Sequence, residues 1–454
     1  MSYDTVIQGN IVLPAIVYEN GWLAIDDGRI AGIFPTDEKP QGRQLIDARG
    51  RWVLPGAIDA HVHAGSSARH PEGFERLTRA AAVGGVTTVI DMPYDEPHPV
   101  TTPERLQVKV EKIEQDATVD VALYGTIAKY GGWDQIVPLA RAGVCAFKMS
   151  TYETDPERFP AIPAVEVIKA FGELAKTDLV AAFHAENGDI VDPLVAEMRP
   201  GGEAEPEMHG LSRPPVSETT AVLTLLELAR TYPVKLHIVH LTVPFGHDAI
   251  AWFRQHGVDA TAETCIQYLV LDQSDLTRVR GLAKCNPPLR PKEMQEQLWS
   301  KLLAGEIDFV TSDHAPWPIE VKDRPNIFDN KSGLPGVETL LPLLFEHGVA
   351  RRGMDIRQLA HLIAAAPARR YGLYPRKGAL VVGADADVTI LDPARPWTID
   401  ASRSQSVAKW SPYDGMRLQG QIVTTLLRGM VVFDGHDVVA PPGTGRFVAP
   451  GSLT

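Results

Sequence analysis

Short apolar runs rich in β-branched residues alternate along the chain with longer amphipathic stretches. Eight runs stand out, at 52–61, 85–92, 119–128, 143–148, 179–184, 234–240, 258–265 and 307–313. Each is near-continuously apolar, as strands buried on both faces are. Helical periodicity fills the gaps. Within 217–230, Val222, Leu225, Leu226 and Ala229 share one helical face, and Ser217 stands where a cap would. A Leu-rich stretch at 336–346 predicts another helix. Eight strand–helix units predict an α/β fold, a (β/α)8 TIM barrel. The doubly wound alternative lacks a Gly-x-Gly-x-x-Gly after the first run.

The two ends differ from the middle. Trp22-Leu23-Ala24-Ile25 and Arg29-Ile30-Ala31-Gly32-Ile33, parted by Asp26-Asp27-Gly28, have the form of a hairpin. Asp387-Val388-Thr389-Ile390-Leu391, the run 422–427 and Val431-Val432-Phe433 repeat that form near the other end. Neither end holds enough strands for a core of its own. One small β-sandwich built from both ends, with the barrel between them, is expected: 1–52 and 375–454 for the sandwich and tail, 53–374 for the barrel.

Composition narrows the function. The 454 residues carry a net charge of −13, with 44% hydrophobic positions. An acidic chain is a poor partner for nucleic acid or an anionic membrane. Cys145, Cys265 and Cys285 show no Cys-x-x-Cys spacing, and three is an odd number, so no disulfide framework is expected. Met1-Ser2-Tyr3-Asp4-Thr5 has no basic region leading into an apolar core, and no apolar run nears the roughly 20 residues that span a bilayer. A cytoplasmic setting is the expectation.

The chemistry sits at strand ends. His61 and His63 form His-Val-His, and side chains at i and i+2 share a strand face. Lys148, His184, His240 and Asp313 end the fourth, fifth, sixth and eighth runs. Six such residues on one rim point to divalent metal, since barrel enzymes place their sites there. A single His at a strand end would more often be structural. Lys148 stays open on the residues alone. It reads as a buried salt bridge, or as a neutral amine that takes up CO2 to become a carbamate with two ligand oxygens.

Several segments resemble the cyclic-amidohydrolase branch of the amidohydrolase superfamily, which holds allantoinases, hydantoinases or dihydropyrimidinases, and dihydroorotases. They are Pro55-Gly56-Ala57-Ile58-Asp59-Ala60-His61-Val62-His63, Gly85-Val86-Thr87-Thr88-Val89-Ile90-Asp91-Met92-Pro93, Phe147-Lys148, His184-Ala185-Glu186-Asn187 and His237-Ile238-Val239-His240. Ala283-Lys284-Cys285-Asn286-Pro287-Pro288, Thr311-Ser312-Asp313-His314-Ala315-Pro316 and Ser332-Gly333-Leu334-Pro335-Gly336 join them, as do Ser411-Pro412-Tyr413-Asp414-Gly415 and Leu427-Arg428-Gly429.

The resemblance implies two divalent ions, zinc first, with manganese, iron, cobalt or nickel fitting the same donors. His61, His63 and Asp313 would hold one ion, and His184 and His240 the other. Lys148, as N6-carboxylysine, would bridge them. His237 is taken as packing, because i and i+3 point to opposite strand faces. His314 would point away from the site. The implied reaction opens a cyclic amide of ureide or hydantoin type by a metal-bridging hydroxide. Asp313 would act as base and then acid. Asn286 and the backbone at Gly333 and Pro335 match places where relatives bind the ring. Tyr152 resembles a tyrosine that supports the oxyanion in hydantoinases. A homo-oligomer, tetramer or dimer, is implied too.

Departures shape the substrate reading. After His63 the chain runs Ala64-Gly65-Ser66-Ser67-Ala68-Arg69-His70, without the Arg of dihydroorotases or the Glu-Pro-Gly-Arg loop of allantoinases. Arg69 is a possible substitute. Cys265-Ile266-Gln267-Tyr268 replaces a common Cys-Pro-His-Tyr. The 281–316 region and the tail look most like allantoinase. Hydantoinase or another cyclic imide hydrolase is the alternative. A non-catalytic relative of dihydropyrimidinase would have lost ligands, and a one-metal deaminase would lack Lys148.

Overall fold

A computed structural model describes residues 2–65, 72–199 and 204–451. Its strands are β1 (Tyr3–Val12), β2 (Val17–Asp26), β3 (Arg29–Phe34), β4 (Gly42–Pro55), β5 (Ala57–Val62), β6 (Val86–Asp91), β7 (Asp120–Gly125) and β8 (Ala146–Ser150). They continue as β9 (Val180–His184), β10 (Lys235–Ile238), β11 (Ala260–Cys265), β12 (Phe309–Thr311), β13 (Val388–Thr398), β14 (Arg417–Leu427) and β15 (Met430–Phe433). Strands β5 to β12 are parallel and pair in chain order. His314 N donates to His61 O (3.3 Å) and His63 N to His314 O (2.9 Å), which closes the eighth strand onto the first. The expected eight-stranded barrel is therefore the fold.

Alternation along the strands sorts side chains into two layers. On β8 and β9, Phe147, Met149, Ala181 and Phe183 face the helices, whereas Ala146, Val180 and Ala182 face inward. Inward residues at the base are closed over by Tyr371, Leu373 and Val448. Tyr124 reaches across to bond the Tyr371 hydroxyl at 2.6 Å. The same inward parity carries Lys148 and His184 to the open end.

The other strands form one seven-stranded mixed sheet, ordered β15-β14-β13-β4-β1-β2-β3. Both chain ends contribute, as expected. Its seam is the antiparallel pair β4–β13, with Pro55 opposite Val388. Two hairpins turn on consecutive positive φ values: Asp27 (48°) and Gly28 (71°), then Arg428 (46°) and Gly429 (77°). Those values match the twist of a two-residue hairpin. A buried ion cluster ties the sheet to the barrel. Lys377 Nζ lies 2.6, 3.0 and 2.8 Å from carboxylates of Asp120, Asp385 and Asp387. Arg428 also pairs with Asp120, at 2.5 Å. The three carboxylates are close enough to suggest a metal site, but the ammonium and guanidinium already satisfy them.

Three local expectations change. The run 52–61 is two strands, because Trp52 to Pro55 pair with β13 and the barrel strand begins after Gly56. The expected division at residue 52 thus falls inside β4. Ser217 does not cap its helix: Pro215–Thr231 starts earlier, and Ser217 Oγ donates to Pro214 O (2.8 Å) within the first turn. The helix at 336–346 is shorter, Leu340–Leu344, and widens into a π-turn over Phe345–Ala350. Among the described residues no helix is long and apolar enough to cross a membrane.

Burial, and then the charge of Lys301, push the His247 imidazole down to about 3. Its Nε2 has no hydrogen-bond partner among the described residues. Below about pH 6.5 the unfolded chain binds a proton there that the folded chain refuses. Stability should therefore fall as pH drops from 6.5 toward 3, by about 2–3 kcal/mol at pH 4.5. Urea unfolding at pH 7 and 4.5 should show a smaller acid loss in His247→Gln. An unchanged pH dependence in that variant would remove His247 as its source.

Candidate active site

The C-terminal rim gathers His61, His63, Lys148, His184, His240 and Asp313 around one cleft. Strand parity alone does not do this. Strand β10 ends at Ile238, and His240 takes φ 40°. Asp313, just past β12, takes φ 48°. Left-handed backbone is uncommon for residues with a Cβ and is concentrated at functional sites. Here it swings both side chains over the barrel mouth. His237 also faces inward, but lower down. Its ring stacks on Phe309 at 5.0 Å and bonds Thr261 Oγ1 (2.7 Å) and Glu263 (3.2 Å). His237 thus packs, as expected, although the reason is the bend after β10 and not opposite strand faces.

The donors fall into two neighbouring groups. His61 Nε2 and His63 Nε2 lie 3.1 and 3.3 Å from Asp313 Oδ1. His184 Nδ1 faces His240 Nε2 at 2.9 Å. The rings of His61 and His240, 5.4 Å apart, join the groups. Burial, with help from Lys148, holds the imidazoles of His61 and His240 well below their ordinary range. Both are therefore neutral at pH 7, the form that ligates a cation. His240 Nδ1 is buried without a partner among the described residues. His61, His63 and Asp313 each offer a ligand atom, all within 4.8 Å of one another. Four imidazoles and a carboxylate facing one cleft fit borderline divalent ions.

Lys148 is buried, 1% exposed, with its Nζ 5.9 Å from the Phe159 ring. Burial pushes its amine down to about 8, against the pull of Asp313 and Glu263. About a tenth of the side chain is then neutral at pH 7, against roughly one in three thousand for an ordinary lysine.

Carboxylates behind the imidazoles set their orientation, a role the sequence reading did not assign. Glu263 Oε1 lies 2.6 Å from His61 Nδ1, and Glu186 Oε2 lies 2.7 Å from His184 Nε2. Each leaves the opposite ring nitrogen facing the cleft. Arg213 Nη1 in turn donates to Glu186 at 2.7 Å. Asp59 accepts from Ser312 N and Oγ, which anchors the segment carrying Asp313. His314 points away, its Nδ1 accepting from Gly336 N at 3.0 Å. A carboxylate in mid-strand, as at Glu263 in Ala262-Glu263-Thr264, was the available signal.

The expected ring-binding residues separate. Asn286 and Gly333 line the cleft. Asn286 Oδ1 accepts from Ser332 Oγ at 3.1 Å. Gly333 donates its N–H to Lys284 O (3.0 Å) and accepts from Lys322 Nζ (2.8 Å). At φ 128°, a Cβ there would stand 2.6 Å from that of Ala315, so the position requires glycine. Pro335 lines a neighbouring cavity with His314, Gly336 and Trp410. Tyr152 lies behind His184, ring centroids 6.2 Å apart, with the Arg213 guanidinium 4.5 Å over its ring. Arg69 lies outside the described residues. Arg158, Phe159 and Trp317 line the cleft and were not anticipated.

Comparison with known proteins agrees with this geometry. The amidohydrolase family model matches residues 52–432. An allantoinase of Rubrobacter xylanophilus is 37% identical over 99% of this chain and 98% of its own. An L-hydantoinase of Paenarthrobacter aurescens is 34% identical over 98% of each. Among solved structures, the L-hydantoinase (dihydropyrimidinase) from Arthrobacter aurescens superposes with a TM-score of 0.94 at 32% identity, covering 98% of this chain and 100% of that one. Fold, rim residues and whole-length similarity coincide: the chain belongs to the amidohydrolase family, in its cyclic-amidohydrolase branch.

Proposed function

We propose that the protein hydrolyses the C–N bond of a cyclic amide, with allantoin the leading substrate. The convergence of two imidazoles on Asp313 Oδ1, beside a second imidazole pair, carries this reading. Whole-length similarity to allantoinases supports the choice of ring. The hydantoinase likeness keeps 5-substituted hydantoins and dihydropyrimidines as the second reading.

His61, His63 and Asp313 would hold one divalent ion, His184 and His240 a second, and carboxylated Lys148 both. When bound, such ions supply Lewis acidity, which polarises an amide carbonyl and brings the acidity of water near neutrality. Zinc suits the imidazole-rich set best. Carboxylation joins the neutral Lys148 Nζ to the carbon of CO2 and releases one N–H proton to water. The lowered amine favours that step.

Asp313 does the proton work. Its carboxylate takes the proton of the attacking water as the C–O bond forms, then delivers it to the ring nitrogen as the C–N bond breaks. Glu263 and Glu186 hold His61 and His184 in the ligating tautomer. Asn286, its Oδ1 held by Ser332, presents an N–H to a ring carbonyl. Three buried free cysteines support a reducing, cytoplasmic setting. A homo-oligomer completes the proposal.

A turnover panel of allantoin, hydantoin, dihydrouracil, dihydroorotate and succinimide, with metal content measured on the same sample, tests it. Ring opening fastest on allantoin is expected. Metal-replete protein that opens none of the five would overturn the proposal.

A further inference from the structure

Lys322 is a buried lysine that the ring-opening reading leaves unused. It follows the short turn Ile319–Val321, in the segment between Asp313 and Gly333, and is 0% exposed. Its Nζ donates to Lys284 O, Lys331 O and Gly333 O, at 2.9, 2.9 and 2.8 Å. Three carbonyl acceptors take all three N–H groups of an ammonium. The Trp410 ring lies 5.5 Å from Nζ. Burial pushes the amine well below its ordinary range, and no carboxylate pairs with it among the described residues. The carbonyl dipoles are therefore the compensation for a buried charge.

What this cage joins is one wall of the cleft, where Asn286, Trp317, Ser332 and Gly333 all lie. Lys284 O stands two residues before Asn286 and also accepts from Gly333 N (3.0 Å). Lys331 O and Gly333 O flank Ser332, whose own carbonyl accepts from Trp317 Nε1 (2.8 Å). Trp317 O accepts in turn from Trp410 Nε1 (2.9 Å). Three successive carbonyls, of Lys331, Ser332 and Gly333, are thus held by side-chain donors. Ser332 Oγ donates to Asn286 Oδ1, which commits that oxygen and leaves the amide nitrogen as the donor for a ligand.

We propose that Lys322 is a positioning residue: its ammonium clamps the 284–286 and 331–333 segments into one wall that presents Asn286 to the substrate. This role rests on the ring-opening reading and deepens it on the binding side. Lys322 does not itself line the cleft. Asp313 is anchored separately, through Ser312 and Asp59. Loss of the clamp should therefore weaken binding without slowing the proton transfers.

Kinetics on allantoin with metal-replete protein test the proposal. Lys322→Met keeps the reach of the side chain and removes its donors. It should raise KM roughly tenfold, the worth of one hydrogen bond to the ring. Turnover should stay within about threefold and metal content should not change, the mark of lost uniform binding. Ser332→Ala should raise KM too, and the double variant should exceed the larger single effect by less than about twofold, because both act through Asn286. In Lys322→Ala, ethylammonium should restore KM, whereas tetramethylammonium, which has the charge but no N–H, should not. Should the methionine variant not fold, Lys322→Gln, which keeps two N–H donors, carries the same comparison.

A loss confined to kcat or to thermal stability with KM held, additive effects of Lys322 and Ser332, or equal rescue by both cations would overturn the proposal. Hydrogen exchange separates it from the ring-opening reading where wild type opens no ring. Faster exchange of the Gly333 N–H in Lys322→Met, with the barrel strands still protected, would then support the clamp while ring opening alone failed. Unchanged exchange there would overturn the proposal whatever the turnover.

Discussion

Asp313→Asn should lower kcat by about 10⁴-fold, at the upper end of what one general acid–base group contributes, because one carboxylate serves both proton transfers. The substitution is unusually clean. Asparagine has the same shape and tolerates the left-handed backbone, here φ 48°, better than most residues. Its amide oxygen can still face His61 and His63, which lie 3.1 and 3.3 Å from Oδ1. Metal content and thermal unfolding should therefore stay near wild type while turnover collapses. Activity within tenfold of wild type, with metal bound, would remove Asp313 from the proton transfers.

Lys148→Ala should take metal occupancy from two ions per chain to one or fewer and reduce turnover by about 10³-fold or more, through loss of Lewis-acid stabilisation. The residue is buried within the cleft that holds both donor groups, so loss of the proposed bridge would be felt by each. Bicarbonate should not restore the variant, because no amine remains to carry the CO2. Acetate or propionate should restore part of both occupancy and rate, filling the space with a carboxylate. Full activity in the alanine variant would refute the bridge. Glu263, which faces His61 at 2.6 Å, stays intact in this variant and keeps the His61 imidazole oriented.

The large features were legible because they are periodic. Eight apolar runs announced eight strands, and Asp26-Asp27-Gly28 announced a hairpin whose turn residues take positive φ. What escaped depends on where a strand stops. The run 52–61 is unbroken in hydropathy, yet hydrogen bonding hands Trp52 to Pro55 to one sheet and the rest to the other. His237 and His240 are separated by a bend and not by strand parity, and a backbone angle of 40° has no hydropathy signature. Of the residues lining the cleft, Asn286 and Gly333 were found through a motif, whereas Arg158 reaches it only because a turn folds back. Pro335 belongs to the same motif as Gly333, but the chain passes from one cavity to the next between them.

The seam between β4 and β13 bears on synthesis at the ribosome. Strand β4 emerges early, while its partner at Val388 to Leu391 must wait for the entire barrel to be made. At roughly 5–20 residues per second the delay is on the order of 15–70 s. During it, the Trp52–Pro55 edge presents unpaired backbone N–H and C=O groups, a template for another nascent chain. Crowded polysomes, or a truncation before Val388, should therefore yield aggregates nucleated at the N-terminal sheet, even though the barrel's own strands are complete.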